Sequence, residues 1–189
     1  METVAEALMW VSERGYKGIV ISSDATHFSA GANLNLILNA AENEDWESIE
    51  TLTGNMQQIM QAVRFSGFPV VAAPYGMVLG GGYEMIGACD RVVASAELYC
   101  GLVEVGVGLI PGAGGNLRLI SKLEDAQKLK VPGNFQVVQK AFQTIAFAKV
   151  SMSANHAQSL GYLTKEDRVV INRDYLLNEA KNEVLKMAD

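Results

Sequence analysis
Cysteine, histidine and proline are scarce in this 189-residue chain, and each shortage excludes something. The two cysteines, Cys89 and Cys100, stand among apolar residues and read as reduced core positions rather than a disulfide. That usage fits a cytoplasmic protein. The two histidines, His27 and His156, lie far apart and read as surface or loop residues, so no metal site is expected. No apolar run reaches the roughly 18 residues that a membrane-spanning helix needs. The start, Met1-Glu2-Thr3-Val4-Ala5-Glu6, is acidic, unlike the basic opening of a signal peptide. Positive charge is also short, with 15 Lys and Arg against 21 Asp and Glu, a net charge of −6. That balance argues against a nucleic-acid surface but leaves room for an anionic small ligand held by a few local groups.

What is present is a globular composition, 49% hydrophobic and 19% charged, in a length suited to one domain. Val4, Leu8 and Val11 recur at helical spacing over Glu2 to Glu13, and Gly15 supplies a stop. Gly18 to Ser22 reads as a buried strand, followed by a loop from Asp24 to Asn33. A long helix is expected from about Trp46 to Phe65, with Leu52, Met56, Ile59, Met60 and Val63 on one face. Pro69 to Tyr75 and Asp90 to Ala94 read as further strands, separated by a short helix after Gly82. Alternating helices and continuous apolar strands predict an α/β layered fold. The core is expected over residues 1–122, with a helical region over 123–189 that contains a turn at Pro132-Gly133-Asn134 and ends in a helix from Asp174 to Ala188. The segment between Leu34 and Glu50 shows no readable pattern. An α/β domain seldom opens on an amphipathic helix, so one or two strands are expected upstream of this start, and Gly18 to Ser22 or a neighbour is expected at a sheet edge.

Gly80-Gly81-Gly82-Tyr83-Glu84, then Glu104, then Ile110-Pro111-Gly112-Ala113-Gly114-Gly115 is the most informative stretch. Successive glycines let a ligand approach bare backbone where a strand turns into a helix. Glu84 falls in the first helical turn, among Met85, Ile86, Ala88 and Cys89. Glu104 lies among Leu102, Val103, Val105 and Val107. A carboxyl in apolar surroundings has its pKa raised, and two of them beside glycine turns point to a site. Amides that hold an oxyanion, next to acids that move protons, suit chemistry on a carbonyl compound. Other motifs fail. Pro111 interrupts Gly106-Val107-Gly108 as a dinucleotide fingerprint, and Gly112-Ala113-Gly114-Gly115 lacks the lysine and hydroxyl of a phosphate loop. No serine stands in a nucleophile elbow served by a histidine.

These residues resemble the enoyl-CoA hydratase/isomerase (crotonase) family. Phe28-Ser29-Ala30-Gly31-Ala32-Asn33-Leu34 is similar to its first signature, with Asn33 where Asp is more usual. Gly80 to Glu84 is similar to the second, and Glu104, Gly106 and Ile110 to Gly115 to the third. The resemblance implies the crotonase-like (ClpP/crotonase) ββα-superhelix spiral with a helical C-terminal region, whose opening β-hairpin this chain lacks. It implies an acyl-CoA thioester as substrate and no separate cofactor. The amides of Ala32 and Gly81 would form the oxyanion hole, and Glu84 and Glu104 would hold a water between them. Ser29, Ala30, Gly31, Asn33, Gly80, Pro111 and Gly112 would line the substrate. Arg118, Lys122 and Lys149 are candidate partners for the CoA phosphates.

The C-terminal third is similar to the hydratase part of fused 3-hydroxyacyl-CoA dehydrogenase/enoyl-CoA hydratase proteins. The carrying residues are Phe147 to Ala154, Leu160 to Leu163 and Asn172 to Leu177, with a long Leu123 to Ala146 stretch. Nothing in this chain could bind the nicotinamide of the dehydrogenase, so an excised domain of such a fusion is expected. Hydration of a trans-2-enoyl-CoA in fatty-acid β-oxidation is the leading activity. An isomerase, or a non-catalytic CoA-binding domain, is the alternative. The family further implies trimers or dimers of trimers. Phe135, Val138, Phe142, Ile145 and Ala146 form an apolar stripe that either serves such an interface or packs back on its own domain.

Overall fold
The computed structural model describes residues 2–127 and 135–188. The turn expected at Pro132-Gly133-Asn134 lies outside them. Helix α1 (Glu2–Arg14) turns Leu8 and Val11 inward and ends where Gly15 takes φ +67, which lets Tyr16 N donate to Val11 O at 3.1 Å. Strand β1 (Ile19–Ile21) follows, then α2 (Leu34–Glu42) and α3 (Trp46–Arg64). Asp45 caps α3 by accepting from Ser48 N at 3.1 Å, and Met60 and Val63 are its buried residues. The expected helix is therefore met almost residue for residue. Helix α2 occupies the segment that showed no pattern.

Val70–Ala72 forms β2 and Gly76–Leu79 forms β3; helix α4 (Gly81–Ala88) then leads to β4 (Arg91–Ser95) and β5 (Leu98–Gly101). Two parallel sheets result. One has the order β1-β2-β4-β6, with β6 at Arg168–Val170, and the other pairs β3 with β5. Strand β1 stands at an edge, as expected. The single strand expected from Pro69 to Tyr75 is shorter than expected, because Pro74 and the positive φ of Gly76 (+58) turn the chain into the second sheet. Helix α5 (Gly115–Gln127) runs through residue 122, where the change to helical character was expected. Helices α6 (Phe135–Ala146), α7 (Ala154–Leu160) and α8 (Leu176–Ala188) complete that region, which also contains β6.

The pleat of the larger sheet sorts its residues onto two cores. Val70, Ala72, Val92 and Ala94 face a cluster with Met60, Val63, Tyr83, Ile86 and Leu119. Val71, Ala73 and Val93 face Ala180 and Val184 of α8. Both faces are covered, as parallel strands require. On α6 the buried side is Val137, Ala141 and Thr144, whereas Phe135, Val138 and Phe142 remain exposed. That part of the apolar stripe does not pack back on its own domain. Cys89 and Cys100 are free and buried, and burial pushes the Cys89 thiol up to about 12.

Tyr162 ties the C-terminal region to the second sheet. Its hydroxyl donates to Lys149 O at 2.7 Å and accepts from Leu102 N at 3.2 Å, while its ring meets Tyr83 edge-on at 4.8 Å. Tyr162→Phe leaves a buried N–H and a carbonyl without this partner. A loss of about 1–3 kcal/mol in unfolding free energy is expected from the urea midpoint. An unshifted midpoint would show that the ring alone holds this junction.

Candidate active site
The acids come from the C-terminal ends of two paired parallel strands, where α/β folds place ligands. Strand β3 lies beside β5 with Val78 opposite Cys100 and Leu79 opposite Gly101, and Gly80 N donates to Gly101 O at 2.8 Å. Beyond β3 the chain enters α4, which carries Glu84 in its first turn; beyond β5 it enters a short 3-10 helix that begins at Glu104. Gly80 holds φ +53, and a Cβ there would stand 3.0 Å from Glu104 Oε1. A side chain at this point is strained by the positive φ and would press on the Glu104 carboxyl.

Glu84 is 2% exposed, and its Oε1 accepts from Ala113 N at 2.8 Å and Gly115 N at 2.9 Å. Burial raises its pKa, and these two amides oppose the rise. Glu104 Oε2 is buried with no hydrogen-bond partner. Burial raises Glu104 as well, aided by repulsion from Glu84 and opposed by backbone amides. Both line one cavity of about 140 Å³ with Gly81, Gly112 and Ala113 on one side and Ile37, Ile49, Leu52, Thr53 and Met56 on the other. Two larger open hollows flank it, and neither contains an acid of the pair.

The first motif is brought alongside. Ser29 bridges Val78 in parallel, donating from its N to Met77 O and accepting from Leu79 N, both at 3.0 Å. Its side chain fills the space above Gly82, where a Cβ would meet Ser29 Cβ at 2.7 Å. Gly31, at φ +98, lies against Leu79 O, and Ala30 and Ala32 on either side of it are exposed. Asn33 Oδ1 caps α2, accepting from Asn35 N at 3.1 Å. Pro111 is buried. The candidate cations are not brought to the acid cavity. Arg118 and Lys122 line a separate polar hollow, where Lys122 stands 3.8 Å from Asp167, and Lys149 is exposed. His27 and His156 each accept a backbone N–H, from Met77 and Met152.

Residues 1–134 match the family model described as enoyl-CoA hydratase/isomerase. The chain belongs to this family. A Bacillus subtilis protein named "Probable 3-hydroxyacyl-CoA dehydrogenase" is 40% identical over 178 residues, 94% of this chain and 22% of that protein. A Rickettsia felis protein named "Putative fatty acid oxidation complex trifunctional enzyme" is 33% identical over 89% of this chain and 22% of its own length. The crystal structure of an enoyl-CoA hydratase from Bacillus anthracis superposes with a TM-score of 0.76 at 27% identity, over 99% of this chain and 65% of that one. The expected crotonase fold is thereby shown. The chain spans about a fifth of the length of these curated relatives and just under two thirds of the solved hydratase.

Sequence reasoning missed the helical wall of the cavity. Ile49, Thr53 and Met56 recur at i, i+4 and i+7 along α3, a spacing that reads equally as core. No helix among the described residues is long and apolar enough to cross a membrane.

The raised pKa values carry a cost in stability at neutral pH. A carboxyl whose folded pKa lies above its ordinary 4.5 destabilises the fold when ionised, and the penalty fades as pH falls through the raised value. Glu104→Gln is accordingly expected to be more stable than the parent at pH 7. The advantage should vanish near the ordinary carboxyl value. Denaturant midpoints measured from pH 4 to 8 check this, and equal midpoints throughout would remove Glu104 from the set of strained acids.

Proposed function
We propose that the chain catalyses the reversible hydration of a trans-2-enoyl-CoA thioester to the 3-hydroxyacyl-CoA, in fatty-acid oxidation. The observation that carries this reading is the convergence of Glu84 and Glu104 on one small cavity beside the amide of Gly81. Gly81 is the first residue of α4, where N–H groups lack an intrahelical acceptor and the helix dipole favours negative charge. With the Ala32 amide it would hold the thioester oxygen as charge develops there. A water between the acids would lose a proton to one carboxylate while its oxygen bonds to Cβ. The other carboxyl would give its proton to Cα, and the two acids would end with their protonation exchanged. Raised pKa values suit this division, since one member must stay protonated near neutral pH.

Shifting a double bond needs one proton shuttle, and a pure binder needs no buried acid, so the pair favours hydration over the isomerase and the non-catalytic domain. The dehydrogenase named for the Bacillus subtilis relative would belong to another part of such a fusion. The exposed Phe135, Val138 and Phe142 of α6 are the surface through which copies would associate, as homotrimers or larger.

Loss of crotonyl-CoA absorbance, with a 3-enoyl-CoA in parallel, tests the reaction. Glu84→Gln and Glu104→Gln should each lower kcat by 10²-fold or more with thioester affinity nearly kept, and the double variant should fall little further. A single variant as fast as the parent would refute that residue's role. Gly81→Val tests the oxyanion hole. Gly81 has no positive φ, and the added Cβ meets only the mobile Met56 Cε at 3.0 Å, so the fold should persist. The bulk would block the amide, and kcat/KM should drop by about 10²-fold or more. Undiminished turnover in this variant would mean that the thioester lies elsewhere.

A further inference from the structure
A second cluster of charged side chains lies toward the other end of α3 from the acid cavity. Arg64 closes α3, eight residues beyond Met56 of that cavity, which is roughly 12 Å along the helix axis. It lines a polar hollow of about 260 Å³ with Arg91 at the start of β4 and with Arg118, Ser121 and Lys122 of α5. The three α5 residues share one face, since they stand three and four positions apart. Gly87, near the end of α4, forms part of the wall. No described residue lines both this hollow and the acid cavity.

The acids around the hollow are already committed. Asp90 accepts from Val70 N at 2.9 Å, and Asp167 accepts from Val92 N at 2.9 Å and Thr164 N at 2.7 Å. Glu166 pairs with Arg91, and Lys122 stands 3.8 Å from Asp167. The remaining acid, Asp125, is exposed and forms no ion pair among the described residues. Arg64 and Arg118 are left over, and neither forms an ion pair among the described residues. Burial, and then repulsion from Arg64, lowers the Arg118 pKa. Two like charges without a counterion repel, and an anion beside both removes that repulsion. Guanidinium forks match the oxygens of a phosphate, and two of them balance its double charge. The hollow exceeds the roughly 150 Å³ that a benzene ring fills, so it admits a phosphate monoester as well as the bare ion. We propose that Arg64 and Arg118 form a binding site for a small phosphate-bearing molecule, separate from the acid cavity.

Inorganic phosphate and glycerol 3-phosphate are the probes, with chloride at matched ionic strength as the reference. Binding is read from the melting temperature and from amide shifts in an NMR titration. Both probes should raise the melting temperature of the parent above its value in chloride. Arg64→Gln and Arg118→Gln should each weaken the apparent Kd about ten-fold, as the loss of a charge-assisted hydrogen bond does. Arg64 is exposed at a helix end, so its variant should fold even if the Arg118 one does not. No difference from chloride, or an undiminished effect in Arg64→Gln, overturns the proposal. Free coenzyme A supplies the other arm, because it too carries phosphates. It should bind alongside inorganic phosphate, with an affinity that Arg64→Gln leaves unchanged. Competition between the two, with both weakened by Arg64→Gln, would make the hollow part of the thioester site and overturn a separate one. None of these readings needs turnover, so the phosphate site and the hydration reading fail independently.

Discussion
One backbone hydrogen bond, from Gly80 N to Gly101 O, closes the ladder on which the candidate site depends. The register of β3 against β5 decides where each strand ends, and each end hands the chain to a carboxyl. A slip of one residue would reverse the facing of every side chain in the pair. The stretch between Glu84 and Glu104 contains the rest of α4 and all of β4 and β5, so a loop closed by a sheet replaces adjacency in sequence. Glycine at position 80 is the natural companion of this bond, because the backbone there holds a φ of +53 that other residues seldom adopt.

The two acids are held differently, and the difference is chemical. Glu84 has one oxygen fixed by two amides at the start of α5, which restrains its rotamer and favours its ionised form. Glu104 keeps a buried oxygen without any protein donor. Native structures rarely leave such a group, and where they do a reacting water or substrate is a natural partner. The asymmetry leaves Glu104 the acid with a free acceptor in the cavity.

Much of this was legible in the sequence. The α3 helix shows in its apolar spacing and its Asp45 cap, and the glycine motifs with Glu84 and Glu104 identify the site through residue types that are costly to bury. The β3–β5 pair was not legible, because Pro74 and Gly76 read as the end of one strand rather than the turn into a second sheet. Strand β6 is three residues long and exists through its pairing with β4 alone. Helix α2 has Leu34, Leu36 and Leu38 in alternation, a strand-like pattern, and has no buried face to impose a helical period. Asn33 stands directly before Leu34, and its side chain makes the helix cap that an Asn at this place favours.

The lack of a buried residue on α2 also sets how firmly that element is held. Nine residues fastened by a cap and by contacts with α3 have little apolar burial to oppose their own conformational entropy. A segment with so little burial is expected to open at a lower free energy than the global fold, as hydrogen exchange would read. Any ligand that settles between α2 and α3 would quieten this motion, so part of its intrinsic affinity would be spent as lost entropy rather than appear as tight binding. The floor of the site, α4, is the opposite case, with seven of its eight residues buried. The most and the least buried helices of the structure thus meet at one cavity, and the one could yield without moving the acid that the other carries.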